Sequence, residues 1–188
     1  MRAVRFAALL FVAIIVSISC EKFRTEEYHM KDVDTRACAY LTDSLSDTIY
    51  VKPLTYFDTN WVTPHIYDNV AKIIDTLKAH NIEVEPSIGY TIITEEDVDT
   101  NYIVYRNTHA GEVIIFINDY LNVNVVSEDS IIREQSRAIP LETVAGCPEI
   151  KTRLVYVLEE DEYLLEFIKT DQTLSDTFNT VILWEEAR

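Results

Sequence analysis

The chain is poor in glycine, and this excludes several motif-based functions. Its 188 residues include only three glycines, Gly89, Gly111 and Gly146, and these stand far apart. Phosphate-binding loops and dinucleotide fingerprints need clustered glycines, because the backbone must approach the phosphates closely. The sequence also has no Gly-x-Ser-x-Gly turn that could present a hydrolase serine. Nucleotide binding by those motifs and serine hydrolysis by that turn are therefore excluded.

Zinc ligands are equally scarce. The four histidines contain no pair at i, i+4 spacing, and the three cysteines form no Cys-x-x-Cys motif. A zinc site needs three or four histidine, cysteine or carboxylate ligands that converge. We therefore expect no cofactor, and ordinary surface or boundary positions for the histidines, which are His29, His65, His80 and His109.

One acidic stretch partly matches a calcium-binding loop. Asp97, Asp99 and Asn101 occupy the first three oxygen-ligand positions of such a loop. However, Tyr102 stands where the loop needs its turn glycine, and Thr108 stands where it needs its closing bidentate glutamate. Asp97 and Asp99 are thus weak metal candidates, and the alternative is a solvated acidic turn.

Basic residues are outnumbered by acidic ones. The chain has 16 Lys and Arg residues against 32 Asp and Glu residues, for a formal net charge of −16. Such a surface repels nucleic acids and anionic lipid head groups. Hydrophobic residues nevertheless make up 48% of the chain, which is too many for a disordered acidic segment. We expect a folded acidic domain with no nucleic-acid partner.

The N-terminal apolar run is too short for a conventional membrane span, which needs about 20 residues. It covers residues 6–19, follows Arg2 and Arg5, and is succeeded at once by charged residues. A basic start, a short apolar middle and small residues at a cleavage point are typical of an export signal. We predict that residues 1–19 are a signal peptide that is removed, which leaves 14 basic and 32 acidic side chains and a net charge of −18.

The predicted cleavage point lies directly before Cys20. Residues 16–20, Val-Ser-Ile-Ser-Cys, resemble the lipobox of bacterial lipoproteins, although Ser17 replaces the usual Leu, Val or Ile. The resemblance implies acylation of Cys20, with palmitate among the acyl chains, and anchoring in the bacterial cell envelope at the outer membrane or periplasmic face. Ser17 and Ser19 also suit an ordinary signal peptidase. In that alternative the protein is secreted and Cys20 is incidental.

Cys38 and Cys147 are the two cysteines that remain if Cys20 is acylated. An even pair in an exported protein can form a disulfide, because the compartment is oxidising. Two buried free thiols are the alternative, since the sequence does not show whether the two Cα atoms approach each other.

The chain divides into three regions. We assign residues 1–19 to the signal peptide, residues 20–47 to a lipid-anchored tether and connecting segment, and residues 48–188 to a single globular domain. The region 21–47 has mixed charge and little periodicity, so nothing in it predicts order. Strands are predicted from β-branched and aromatic residues at 48–57, 82–94 with an interruption near Pro86, 101–106, 111–126 and 152–160. The segment 111–126 begins with an uninterrupted apolar run, which is typical of a strand that is covered on both faces.

Two main helices are expected. The first covers residues 63–81, with Thr63 as its cap and Pro64 at its first helical position. Its apolar stripe consists of Ile66, Val70, Ile73, Ile74 and Leu77 at helical spacing. The second lies in residues 173–188, where the apolar residues at helical spacing are Leu174, Phe178, Val181 and Ile182. The fold class is therefore α/β in the broad sense (α+β), with one mixed sheet of four to five strands and two main helices.

The order of these elements over residues 48–186 is similar to the N-terminal subdomain of metzincin zinc metallopeptidases. The phrases "VIIFINDYL" and "QTLSDTFNTVILW" add to the resemblance, which implies a zincin-like fold. In that family the last helix carries His-Glu-x-x-His-x-x-Gly-x-x-His. The alignment places Asp176, Thr180 and Glu186 over the three histidines and Thr177 over the general-base glutamate. Asp176 and Glu186 are weak metal candidates, and the alignment yields no catalytic residue.

Two classes of function remain open. The first is a non-catalytic binding protein that meets a protein or peptide partner at the bacterial envelope. The second is a divergent or truncated metzincin-like hydrolase that uses carboxylate ligands. We favour the first, because the sequence contains no intact catalytic motif. Whether the chain is an enzyme therefore stays open, and the sequence favours a non-catalytic role.

Overall fold

The computed structural model describes residues 29–42, 47–61, 66–128 and 130–185. The predicted signal peptide, Cys20 and Glu186 lie outside the described residues. Within the described ranges, no helix is both long and apolar enough to cross a membrane.

The described chain forms four helices and ten strands. The helices are α1 Asp32–Thr42, α2 Leu54–Phe57, α3 Val70–Ala79 and α4 Leu141–Gly146. The strands are β1 Asp47–Tyr50, β2 Glu83–Val84, β3 Gly89–Ile93, β4 Thr100–Asn107, β5 Gly111–Ile117, β6 Leu121–Val126, β7 Ile131–Ile132, β8 Thr152–Leu158, β9 Asp161–Lys169 and β10 Thr177–Trp184. The predicted class, a single α+β domain, is confirmed.

The strands are arranged in two sheets of five. Sheet A has the order β1-β3-β10-β5-β8, and sheet B has the order β2-β4-β9-β6-β7. The short edge strands β1 and β2 pair in parallel with β3 and β4, and the other pairs are antiparallel. Each sheet has the predicted size, but there are two sheets where one was expected. The chain passes from one sheet to the other several times, and one passage, at residues 118–120, divides the predicted strand 111–126 into β5 of sheet A and β6 of sheet B.

The two sheets pack face to face around the main hydrophobic core. Phe167 of β9 and Phe178 of β10 meet across this interface, with their ring centroids 5.3 Å apart. The Tyr156 hydroxyl of sheet A donates a hydrogen bond to the Val123 carbonyl oxygen of sheet B, at 2.7 Å. The interface is therefore apolar, with polar atoms that are paired across it.

Strand β5 is buried on both faces, as its uninterrupted apolar sequence predicts. Val113, Ile115 and Ile117 belong to the main core. Ile114 and Phe116 point to the other side of sheet A, because successive side chains of a strand alternate, and they join a second hydrophobic core there. Helix α1 covers this second core.

Helix α1 lies in the region that was assigned to the tether. Three apolar residues recur at every fourth position on its buried face, and these are Val33, Ala37 and Leu41. This spacing places them on one side of a helix, where they pack in the second core with residues of β10. The folded domain therefore includes residues 32–42 and begins before Thr48.

Helix α3 packs on the outer face of sheet B, against β4 and β9. Its buried residues are Val70, Ile73, Ile74 and Leu77, which belong to the predicted apolar stripe. The helix begins at Val70, after Asn69 at the cap position. The predicted cap Thr63 and the predicted first helical residue Pro64 lie outside the described residues.

The predicted C-terminal helix is wrong, because residues 177–184 form strand β10 in the middle of sheet A. Phe178 and Ile182 point to the main core, and Val181 points to the second core under α1. A strand that is buried on both faces is apolar at nearly every position, so it also satisfies helical spacing. Leu174, which the helix prediction placed on the buried face, is 71% exposed.

Candidate functional site

A cavity of about 400 Å³ opens where β6 and β8 begin and β9 ends. Because β6 and β9 belong to sheet B and β8 belongs to sheet A, the cavity lies at the seam between the two sheets. We call it the seam cavity. Its lining comes from four segments and consists of Tyr120, Leu121, Asn122, Arg137, Ile139, Lys151, Thr152, Arg153, Leu154, Thr170, Asp171 and Gln172.

One wall of the seam cavity is held by the buried carboxylate of Asp119. This carboxylate accepts backbone N–H hydrogen bonds from Tyr120 at 2.7 Å, from Leu174 at 2.9 Å and from Ser175 at 3.1 Å. The Thr170 hydroxyl donates to the Tyr120 carbonyl oxygen at 3.0 Å. The β5–β6 turn and the β9–β10 loop are therefore fastened to each other, and the wall that they form is pre-organised.

The floor of the cavity joins the two sheets through Thr152 at the start of β8. Its hydroxyl donates to the Asp119 carbonyl oxygen at 2.7 Å and accepts the Leu121 backbone N–H at 3.3 Å. Thr152 is buried, so these bonds are protected from competing water. The seam cavity thus has a fixed floor as well as a fixed wall.

Arg137 places a cation in a segment of the lining that is separate from the wall and the floor. Its Nε donates to Glu134 Oε2 at 2.5 Å, and its Nη1 donates to Asn122 Oδ1 at 3.4 Å. The carboxylate of Glu134 raises the pKa of the Arg137 guanidinium by hydrogen bonding and by charge attraction. Glu134 Oε1 is buried and has no hydrogen-bond partner among the described residues.

Lys151 supplies a second cation. Its Nζ donates to the Pro148 carbonyl oxygen at 2.6 Å, and the side chain belongs to the lining. In the part of the chain that the structure describes, no carboxylate lies within ion-pair distance of Lys151. The seam cavity is therefore lined by three basic residues and one acidic residue, on a domain whose overall charge is strongly negative.

A second polar cluster surrounds the buried carboxylate of Glu166 on the outer face of sheet B. Tyr102 of β4 and Asn124 of β6 are its cross-strand neighbours, and they donate to it at 2.8 Å and 2.6 Å. The Tyr67 hydroxyl, from the segment before α3, donates at 3.3 Å. The carboxylate thus ties three strands to the segment that leads into α3.

The same carboxylate affects the two phenols that donate to it. Burial raises the pKa of the Tyr102 phenol, and the hydrogen bond to Glu166 raises it further. Burial and the charge of Glu166 also raise the pKa of the Tyr67 phenol. Both hydroxyls therefore stay protonated as donors at neutral pH. Glu166 does not belong to the lining of the nearby cavity of about 250 Å³, and its satisfied bonds indicate a structural role.

The residues just before the stretch that resembles a calcium loop bind a lysine side chain. Lys169 Nζ donates to the carbonyl oxygens of Glu95 and Glu96, at 3.2 Å and 3.3 Å. Among the described residues, no group of three or more His, Cys, Asp or Glu side chains comes together so that it could hold a metal ion. Asp97 and Asp99 accordingly belong to no such group.

Asp176, the other described metal candidate, also binds Lys169. Its Oδ1 accepts a hydrogen bond from the Nζ of that lysine, and the two side chains form an ion pair. Asp176 precedes β10, so the residues aligned with the metzincin zinc helix follow it in a strand. Side chains at i and i+4 of a strand lie about 13 Å apart, which is too far for two ligands of one zinc ion.

Cys38 and Cys147 form a disulfide, with their Cα atoms 5.9 Å apart. Of the two alternatives that the sequence leaves open, the structure therefore contains the bonded pair. The disulfide joins α1 to the residue that follows α4 and borders the second core.

No pattern in the sequence identifies the residues that build the seam cavity. Asp119 follows a strand inside a long apolar run. If an acidic residue at such a position is buried, its carboxylate needs hydrogen-bond donors, and backbone N–H groups can supply them. Lys151 and Arg137 come from the irregular stretch 127–151. No periodicity predicts a helix or strand for these two residues, so the sequence does not indicate which segments they contact. Their proximity depends on the packing of four segments that are distant in sequence.

No protein-family model matches the chain, and no curated protein is significantly similar to it. The resemblances to bacterial lipoproteins and to metzincins remain predictions.

Proposed function

We propose that this chain is an exported, lipid-anchored protein of the bacterial cell envelope with a non-catalytic binding role, and that the seam cavity is its binding site. The observation that carries the binding role is the cavity itself. It combines a wall and floor fixed by buried hydrogen bonds with cationic and neutral donors. Small-molecule sites are usually largely pre-formed concavities in which placed polar groups fix the orientation of the ligand.

The envelope location is supported by two features. The first is the leader with its lipobox-like residues 16–20, which carries the lipid anchor at Cys20. The second is the disulfide between Cys38 and Cys147, because disulfides persist mainly in oxidising compartments. The acidic surface repels anionic head groups, so acyl chains supply the attachment to the membrane.

Occluding the seam cavity is the test of the binding role. Gln172 is exposed and belongs to the lining, so Gln172→Trp should fill the opening without disturbing a buried contact. Gln135→Trp places the same side chain on an exposed residue outside the lining. A set of small polar molecules is screened by ligand-observed NMR. We expect every molecule that binds wild type to bind Gln172→Trp at least about tenfold more weakly and Gln135→Trp equally well.

Two results would contradict the binding role. One is that the molecules found in the screen bind both tryptophan variants like wild type, which would place their site elsewhere. The other is that the screen finds no ligand for the folded wild-type protein up to millimolar concentration. In either case the seam cavity is not a small-molecule site.

The lipid anchor is tested on the full chain expressed in a bacterium. We expect wild type to have the mass of residues 20–188 plus acyl chains. We also expect it to fractionate with membranes, because each buried methylene of the acyl chains contributes about 0.8 kcal/mol to membrane binding. Cys20→Ala should lose both properties, whereas the control Cys38→Ala/Cys147→Ala should keep the acyl chains. An unacylated chain that starts at Cys20 supports the secreted alternative. A soluble chain that starts at Met1 contradicts export.

A further inference from the structure

We infer that the ligand of the seam cavity is a small polar molecule that is held by one oxyanion group, a carboxylate or a phosphate, through Lys151 and Arg137. The inference rests on the proposed binding role of the cavity and adds the chemical class of its ligand.

The charge of the lining differs from that of the whole protein. The chain has twice as many acidic as basic residues, yet the lining contains three basic residues and one acidic residue. Arg153, the third basic residue, already forms a buried ion pair with Asp34. Arg137 is also ion-paired, with Glu134, but its side chain is 66% exposed. Arg137 and Lys151 are therefore the cations that a ligand can reach, and the uncompensated charge of Lys151 attracts anions.

Lys151 has donor capacity that the described residues do not use. A lysine ammonium has three N–H donors, and one of them is used by the Pro148 carbonyl oxygen. The side chain is half-buried, which strengthens its interaction with an anion relative to that of a fully solvated lysine. No carboxylate of the described chain neutralises it, so an anionic ligand would supply the missing counter-charge.

Arg137 has a fixed orientation and free donors on its outer side. Glu134 and Asn122 bind Nε and Nη1, and these two bonds leave three of the five N–H donors of the guanidinium without a described partner. A planar guanidinium that is held in this way can bind two oxygens of a carboxylate or phosphate at once. Because Glu134 and Asn122 fix the side chain beforehand, less conformational entropy is lost when the ligand binds.

Asp171 and the neutral groups of the lining restrict the rest of the ligand. Asp171 is the one carboxylate of the lining and is exposed, so it disfavours a second negative charge on the ligand. The Gln172 amide and the Tyr120 hydroxyl can donate to hydroxyl or carbonyl oxygens. These features favour a ligand that has one oxyanion group and an otherwise neutral polar body.

The ligand class is tested with three probes that share one polar body. Glucose is the neutral probe, glucuronate carries a carboxylate, and glucose 6-phosphate carries a phosphate. Binding is followed by shifts of the backbone amide NMR signals of residues 120–122 and 151–154 in low salt. We expect at least one of the two anionic probes to bind about tenfold or more tightly than glucose, and raising the salt concentration should reduce this preference. The stronger of the two identifies carboxylate or phosphate as the preferred group.

Matched lysine variants assign the effect to the cavity. Lys151→Met should weaken the anionic probe about tenfold and leave glucose unchanged. Lys72→Met removes the same charge from an exposed residue of α3 and should have no effect. Arg137→Lys keeps the charge next to Glu134 but removes the planar fork, so it should weaken the anionic probe several-fold.

The outcomes separate this inference from the proposed binding role. If glucose binds as tightly as both anionic probes, or if Lys151→Met and Lys72→Met behave alike, the oxyanion inference is overturned. Ligands that are sensitive to Gln172→Trp would still support the binding role in that case. A probe concentration of about 10 mM is high enough to detect binding with a millimolar dissociation constant. If neither anionic probe at this concentration shifts the amide NMR signals of residues 120–122 and 151–154, the inference is likewise overturned.

Discussion

Replacing Cys38 and Cys147 by alanine is expected to lower the free energy of unfolding by about 4 to 5 kcal/mol. The disulfide closes a loop across 109 residues of sequence, and a cross-link over so long a loop removes much of the conformational entropy of the unfolded chain. Cys147 is fully buried, so the link is embedded in the second core. The loss would be a large part of the stability of a typical domain.

The measurement is urea unfolding of the chain that lacks residues 1–19, in a Cys20→Ala background so that no third thiol interferes. Reduction of the parent protein with dithiothreitol is the control, because it breaks the link and keeps both sulfur atoms. The reduced protein and the double alanine variant should be destabilised to a similar extent. A loss below about 1 kcal/mol in both would show that the link does not constrain the unfolded chain as the loop length predicts.

A second consequence of losing the disulfide concerns α1. The helix has only 11 residues, which is too short for stability in isolation, and the disulfide fastens it to the segment that follows α4. In the reduced protein we therefore expect α1 to detach from sheet A more readily than the rest of the domain unfolds. Detachment would uncover the second core beneath the helix, which contains Ile114 and Phe116.

Replacing Asp34 by alanine is expected to destabilise the domain by about 3 to 5 kcal/mol. Asp34 is fully buried in α1 and accepts hydrogen bonds from Arg153 Nε, at 3.1 Å, and from the Thr143 hydroxyl. Its removal leaves the guanidinium of Arg153, which is only 5% exposed, without its counter-charge. A buried charge without a partner is far more costly than the intact pair is favourable.

A double-mutant cycle measures the interaction energy between Asp34 and Arg153 separately from the effect of replacing either residue alone. Arg153→Met should be destabilising to a similar degree, because the carboxylate of Asp34 then keeps only the Thr143 hydroxyl as a partner. The double variant Asp34→Leu/Arg153→Met should recover most of the loss, since a packed apolar pair avoids the cost of desolvating two charges. Urea unfolding of the four proteins provides the cycle. Single variants that each lose less than about 1 kcal/mol would contradict the buried-pair assignment.

The ion pair between Asp34 and Arg153 connects α1 to the seam cavity. Arg153 belongs to the cavity lining and binds Asp34 of α1, and its guanidinium lies 5.7 Å from the centre of the Phe116 ring. Helix α1 therefore stabilises the start of β8, from which Lys151 and Thr152 reach the cavity. Weakening the attachment of α1 should consequently affect ligand binding as well as stability.

Several parts of the fold follow from local sequence alone. The uninterrupted apolar residues of β5 predict a strand that is covered on both faces, and the apolar stripe that includes Val70, Ile73 and Leu77 predicts an amphipathic helix. Pro86 predicts the interruption between β2 and β3. These predictions are correct because each depends on the burial of side chains within one continuous segment.

Other parts depend on contacts between distant segments. The apolar residues of β10 fit a helix and a doubly buried strand equally well, and only pairing with β3 and β5 decides for the strand. The periodicity of α1 is carried by three apolar residues in a charged segment, so the helix forms because sheet A offers a surface to cover. The pairing of Cys38 with Cys147 likewise requires that α1 and α4 lie side by side.

The sequence by itself determined the charge, the short apolar run before Cys20, the α+β class and the absence of recognisable catalytic motifs, because these are properties of composition and of continuous segments. Only the tertiary structure decided that ten strands form two sheets and that Asp119, Arg137, Lys151 and Asp171 meet at the seam between them. The physical reason is that a cavity is a gap between packed elements, and its lining depends on which elements pack together.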